Sequence, residues 1–305
     1  MFTLVLPHCP LNNTTSPSLQ KLLRQARFQA ALCAPSELYQ RYLAWQFKPN
    51  TILAVPIYQQ MGMNTTQLVD ARCFELNEQE ATQYINALNQ FYGDDAHFQL
   101  ITPKIWQLTL PETNDFNMPS VLDIGGQTDA MYRSEQQASA KWLQFSTELQ
   151  MWLHQSPLNQ QRQQHQQTII NGLWIWLPEN SNITFQAACL VSDSEWAKFS
   201  PIKQTINFPK DFHVLQQQCQ QNHIDVQQIT LFSEDFVVGA LTQNSWATEE
   251  KWQYWEQHFF APILKDLDKI QSFQIVTEQG VWQINAKKWY LAIKKLFFKH
   301  SGSKQ

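Results

Sequence analysis

With 305 residues the chain has room for about two domains of roughly 150 residues each, and a 43% hydrophobic fraction is enough for buried cores. Lys and Arg total 22 against 26 Asp and Glu, a formal charge of -4, which excludes the global positive field that gathers nucleic acid along a surface. The eight glycines have no spacing that makes a dinucleotide fingerprint or a P-loop, so glycine-rich phosphate cradles are excluded as well.

Residues 2–6 read as a short buried strand, and Ser16-Pro17 supplies an N-cap and first-turn proline for a helix over about 18–31. A second helix follows Pro35-Ser36 with Leu38, Tyr39, Tyr42, Leu43 and Trp45 on its apolar side, and the run Thr51–Tyr58 has the length of a core strand. Asn77 with Glu80 three residues on forms a capping box for a helix over 78–92, with Ala81, Ile85, Leu88 and Tyr92 on one face and Gly93 as its stop. Strands are expected at 97–101 and 104–109. Between Pro111 and Gln127 two prolines and the Gly125-Gly126 pair mark a hinge or long loop. The expected division is therefore an N-terminal α/β lobe over 1–110, a linker over 111–134, a C-terminal α/β lobe over 135–298 and a basic tail over 299–305.

In the C-terminal part Ala138, Trp142, Phe145, Leu149 and Trp152 recur at steps of four and three, the mark of a helix over 135–154 with one buried stripe. Gly172-Leu173-Trp174-Ile175-Trp176-Leu177 is apolar on both faces, as a central strand covered on both sides requires. Further strands are expected at 183–191, 226–232, 272–278 and 281–285, with helices near 209–222, 248–268 and 286–298 between most of them. The fold class is α/β: mixed sheet with flanking helices, in two lobes.

Five cysteines without a C-x-x-C pair fit reduced thiols better than a disulfide framework. Met1–Pro7 lacks the positive n-region and apolar length of a signal peptide, and the longest near-apolar run, Ile52–Tyr58, is far below the ~18 residues of a membrane span. A cytoplasmic protein with no nucleic-acid partner and no membrane span is expected. No two histidines are closer than His213 and His223, so no local zinc motif exists, and no G-x-S-x-G elbow occurs.

The segment Glu148–Arg162 is rich in polar groups between strong core elements. A helix delivers His154, a proline turn follows, and Asn159 and Arg162 lie three apart on one side of a helical turn. Together they could hold a small anion: Arg162 is a fork of donors suited to carboxylate or phosphate. The other reading of the same groups is that they cap the helix end and tie the turn to the next strand. Residues 286–305 carry six lysines and no acid, leaving about -10 elsewhere. With Trp289, Tyr290, Ile293, Leu296, Phe297 and Phe298 interleaved, this end reads as a last helix packed on the core, or as an amphipathic helix that docks on an acidic partner or anionic surface.

Glu148-Leu149-Gln150-Met151-Trp152-Leu153-His154, Pro157-Leu158-Asn159, Arg162 and Asn171-Gly172-Leu173-Trp174-Ile175-Trp176 resemble the E-x-Q-M-x-L-H-x-x-P-x-N-x-x-R...N-x-L-W-x-W run of the bacterial RpfE-type regulatory protein family. That family is related to the archaeal-type cofactor-independent phosphoglycerate mutase, and the likeness extends to Ile85–Phe91, Trp106 and Trp252–Pro262. The mutase it points to has an alkaline-phosphatase-like fold, a serine nucleophile and two metal ions held by Asp and His clusters. Here the chain departs from that pattern: Pro7-His8-Cys9-Pro10 stands in place of the Asp-Gly start, and Leu177-Pro178-Glu179 in place of a glycine run. The resemblance therefore implies a non-catalytic regulatory or ligand-binding protein without cofactor, its site made by His154, Asn159, Arg162 and Asn171 around a small anionic or polar metabolite. Its rival is a manganese- or magnesium-dependent mutase that interconverts 3- and 2-phosphoglycerate, and a third reading is a protein-interaction module that uses the basic aromatic end.

Overall fold

A computed structural model describes residues 1–62, 65–111, 118–128, 134, 138–181, 189–202 and 206–285. In chain order the elements begin with β1 (Phe2–Val5), α1 (Pro17–Gln25), β2 (Arg27–Ala30), α2 (Pro35–Leu43), β3 (Ile52–Met61) and β4 (Thr66–Asp70). There follow α3 (Glu78–Tyr92), β5 (His97–Thr102), β6 (Ile105–Thr109), α4 (Val121–Ile124), α5 (Ala140–Gln155), α6 (Pro157–Gln164) and β7 (Gly172–Trp176). The last third holds β8 (Cys189–Ser192), α7 (Phe212–Gln221), β9 (Ile229–Phe232), α8 (Val237–Leu241), α9 (Ser245–Trp255), α10 (Ala261–Lys265), β10 (Ser272–Thr277) and β11 (Gly280–Asn285). A π-helical turn, Glu256–Phe260, joins α9 to α10.

Contacts gather these elements into two units. One comprises 1–45, 181–239 and 245–305, the other 46–180 and 240–244. This differs from the expected division into 1–110 and 135–298. The reason is long-range pairing: β1 lies between β9 and β10, parallel to both, so the first strand belongs with the last third of the chain. Nor does the Gly125-Gly126 stretch separate the units. It lies inside the second, where the Gly126 amide donates to the Leu68 carbonyl at 2.9 Å and Gly126 adopts φ +73° against the Leu241 backbone.

The sheet of the first unit runs β2-β11-β10-β1-β9-β8, with β10, β1, β9 and β8 mutually parallel, β11 antiparallel to β10, and β2 antiparallel to β11 at the edge. Phe2, Leu4, Val191, Leu231, Phe273 and Ile275 are buried in one core with Leu19 and Leu22 of α1, Leu215 of α7 and Trp255 of α9. The helix expected over 18–31 stops at Gln25. Arg27–Ala30 instead pair with β11, a partner 250 or more residues away that local periodicity cannot announce. Phe28 packs its ring on Trp282 across that pair, centroids 4.5 Å apart.

Every pairing in the second unit is antiparallel, in the order β4-β3-β6-β5 with β7 added to β3. β3 serves three neighbours because it is ten residues long: Ile52–Ala54 meet β6, Ile57–Met61 meet β4, and Leu53–Ile57 meet β7. β7 is buried at every residue, but among the described strands it pairs with β3 alone rather than lying centrally. Its cover includes Trp142 of α5, whose indole donates to the Ile175 carbonyl at 3.2 Å and meets Trp174 edge-on at 5.7 Å. The capping box of α3 is half made. Asn77 accepts the Glu80 amide at 2.9 Å, while the Glu80 carboxylate turns elsewhere. The helix expected over 286–298, the basic tail and most of the strand expected at 183–191 lie outside the described residues.

Candidate functional site

The polar segment singled out in the sequence belongs to the second unit. Ser139 caps α5 by accepting the Trp142 amide, α5 ends at Gln155, and Pro157 starts α6 at once because its fixed φ suits a first turn and its missing N–H is no loss there. Asn159 and Arg162 lie on the inner face of this short helix, 4% and 2% exposed.

Asn159 is saturated. Its Oδ1 accepts the Tyr84 hydroxyl at 2.8 Å and the Ile170 amide at 2.9 Å, and its Nδ2 donates to the carbonyls of Leu153 and Ile170, both at 2.7 Å. The side chain therefore replaces a missing stretch of backbone pairing, tying α5, α6, α3 and the approach to β7 together. Burial raises the pKa of the Tyr84 hydroxyl, opposed by the charge of Arg162 and helped by that of Glu80. Arg162 sends Nη1 to Glu80 Oε1 at 2.6 Å, Nη2 to the Glu75 carbonyl at 2.8 Å and Nε to the Thr168 carbonyl at 2.5 Å. The ring of Phe74 lies 5.7 Å from its guanidinium carbon.

Asn171 makes a two-point clasp on β3: Oδ1 accepts the Gln59 amide at 2.7 Å and Nδ2 donates to the Gln59 carbonyl at 3.0 Å. His154 is exposed in the last turn of α5. The structure thus brings Asn159 and Arg162 together on the segment 168–170, points Asn171 at β3, and leaves His154 in solvent. These hydrogen bonds are those of a cap and a tie.

Beside Arg162 opens a cavity of about 370 Å³, and of the four sequence-derived residues it alone lines it. Arg72, Lys104, Phe74 and Thr168 are among the other walls. Arg72 lies in the turn after β4, bidentate to Asp70 at 2.9 and 2.8 Å, and Lys104 in the turn between β5 and β6. The guanidinium of Arg162 carries five N–H groups, more than the three bonds described above require. Sequence reasoning missed Arg72 and Lys104. The signal for Arg72 is the Asp70-x-Arg72 spacing at a strand end; for Lys104 there is none beyond its place in a turn.

The first unit carries a second polar group, at the carboxyl ends of two neighbouring parallel strands, where open α/β sheets commonly receive ligands. Asp193 follows β8, and Ser233, Glu234 and Asp235 follow β9. Asp193 accepts the Ser233 hydroxyl at 2.6 Å and the Glu234 amide at 2.9 Å. Glu234 accepts the Tyr39 hydroxyl at 2.6 Å, and Asp235 accepts Lys251 Nζ at 2.5 Å and the Trp255 indole at 2.9 Å. Solvent reaches Asp193, yet the protein crowded around it, and then the charge of Glu234, push its pKa up to about 7. Among the described residues no group of three or more His, Cys, Asp and Glu could hold a metal ion. The carboxylates here are engaged by hydroxyl, indole, amide and ammonium donors.

The fold and these groups define an α/β protein of two units, one built on a largely parallel sheet and one on an antiparallel sheet. No family model and no curated protein matches the sequence. Among solved structures, the PH0037 protein from Pyrococcus horikoshii is similar over 92% of this chain and 84% of its own, at 10% identity and a TM-score of 0.44. A cofactor-independent phosphoglycerate mutase from Thermoplasma acidophilum is similar over 93% of this chain and 89% of its own, at 10% identity and a TM-score of 0.35. No helix among the described residues is long and apolar enough to cross a membrane.

Proposed function

We propose that the chain is a non-catalytic, small-ligand-binding regulatory protein of the RpfE type, a degenerate relative of cofactor-independent phosphoglycerate mutase. Its ligand is a small anionic or polar metabolite, bound in the cavity beside Arg162. The observation that carries this reading is the convergence of Arg72, Lys104 and Arg162 on one space of about 370 Å³, the size of a small metabolite site. Asp70 and Glu80 pair with the two arginines, so the site is no strong general anion trap; it suits a ligand whose oxygens meet the Lys104 ammonium, with the two arginines in the wall adding to the attraction. Within this reading Asn159 and Asn171 hold the walls, and His154 takes no part in the cavity.

The sequence run from Glu148 to Trp176 supports the family half of the reading. The test is thermal denaturation with inorganic phosphate, 3-phosphoglycerate and citrate at millimolar concentration, on the native chain and on Lys104→Met. The reading expects at least one anion to raise the melting temperature of the native chain and to lose most of that effect in the variant. No stabilisation by any of the three, or an equal shift in both proteins, counts against the site. Interconversion of 3- and 2-phosphoglycerate by protein loaded with manganese or magnesium would refute the non-catalytic half.

A further inference from the structure

α5 buries one stripe against β7 and turns Lys141, Gln144, Thr147, Glu148, His154 and Gln155 to solvent, and one large apolar side chain, Met151, stands exposed among them. Met151 is 61% exposed there, and Phe91, near the end of α3, is 50% exposed. Between them lies a groove of about 610 Å³. Phe91, Leu143, Met151 and Trp152 supply its apolar walls, with the Phe91 and Trp152 rings 6.2 Å apart. The remaining lining is Gln144, Thr147, Gln155 and one charged residue, Glu148. Burial, and then the charge of Glu148, raise the pKa of the neighbouring Tyr92 hydroxyl.

We infer that this groove is a binding site for a small organic cation with an apolar body, an aromatic or alkyl amine or a quaternary ammonium. Two aromatic rings and a thioether offer the polarizable faces that attract a poorly hydrated cation, and a single carboxylate with no basic residue in the lining sets the sign of its charge. The volume falls in the range of small-molecule pockets, and the polar rim of glutamines and threonine can meet a ligand's donors. Neither the hydrogen-bond ties of Asn159 and Arg162 nor the cavity beside Arg162 uses any of these side chains.

The probe is benzyltrimethylammonium, titrated into the full chain and followed by tryptophan fluorescence and by calorimetry, with the uncharged isostere neopentylbenzene as control. Binding of the cation at millimolar or lower concentration, roughly tenfold tighter than the isostere, is expected. Glu148→Gln should remove most of that preference, and Trp152→Leu should weaken the cation several-fold. Glu148 is exposed, so its variant keeps the far-ultraviolet circular dichroism of the native chain. Equal affinity for cation and isostere, an unchanged constant in Glu148→Gln, or no binding of the cation at ten millimolar overturns the inference. So does a dimer that Met151→Glu converts to a monomer, because the groove would then belong to a second copy of the chain.

Discussion

Replacing Asn159 by alanine tests whether one buried amide holds the second unit together. The substitution removes four hydrogen bonds at once. The Leu153 carbonyl keeps the Ser156 amide as a donor, so three groups are left facing a methyl: the Tyr84 hydroxyl and the amide and carbonyl of Ile170. Each stranded buried group costs about 1–3 kcal/mol, and relaxation or entry of a water offsets part of the sum, so a loss of about 3–5 kcal/mol is expected. Urea denaturation followed by far-ultraviolet circular dichroism measures it. Asn159→Asp sharpens the test: it keeps the acceptor for Tyr84 and Ile170 but points a carboxylate oxygen at two carbonyls, so its deficit should shrink as pH is lowered and the acid protonates. A loss below about 1 kcal/mol for the alanine variant would refute the reasoning, since the amide would then be replaceable by solvent.

Arg162→Met should cost about 3–5 kcal/mol in the same assay, because it leaves the partly buried Glu80 carboxylate without its cation and the Glu75 and Thr168 carbonyls without donors; Arg162→Lys should lose less, keeping the charge but not the fork. Gly126→Ala should cost about 2 kcal/mol and lower the midpoint without changing the slope, because φ is +73° and a Cβ would sit 2.9 Å from Leu241 Cα. For Asp193 the folded pKa, about 7, lies above the ordinary 3.8, so the proton is held more tightly in the folded state. The stabilisation is complete below pH 3.8 and is lost as pH rises to about 7. The full shift corresponds to about 4 kcal/mol, which solvent contact reduces to about 1–2. Asp193→Asn should therefore flatten the fall in stability between pH 4 and 7, and an unchanged pH profile would show that another group titrates.

Much of the fold was legible because its signals are local. The Asn77 cap, the alternating spacing of Ala81, Ile85 and Leu88, and the doubly apolar run Gly172–Trp176 each fix an element without knowledge of the rest of the chain. What could not be read depends on partners far away in sequence. Arg27–Ala30 continue a helical pattern and become a strand only because β11 offers an edge, and Thr66–Asp70 become β4 because β3 extends far enough to meet them. The unit division was hidden for the same reason. At the site, the spacing of Asn159 and Arg162 correctly placed them on one helical face, but spacing cannot tell whether a face turns toward a ligand or toward carbonyls. Arg72 and Lys104 come from turns at the ends of other strands, and only the assembled sheet brings them beside Arg162.

The placement of residues 46–180 inside the sequence of the first unit has a consequence for synthesis on the ribosome. β1 is made before the whole of the intervening unit, yet both of its sheet neighbours, β9 and β10, emerge only after residue 228. Nearly all of the intervening unit has by then left the exit tunnel and can already close its own antiparallel pairs. The earlier strand, with its apolar Phe2, Leu4 and Val5, must wait for its neighbours until more than 220 further residues have been made, which makes it a natural point of chaperone contact.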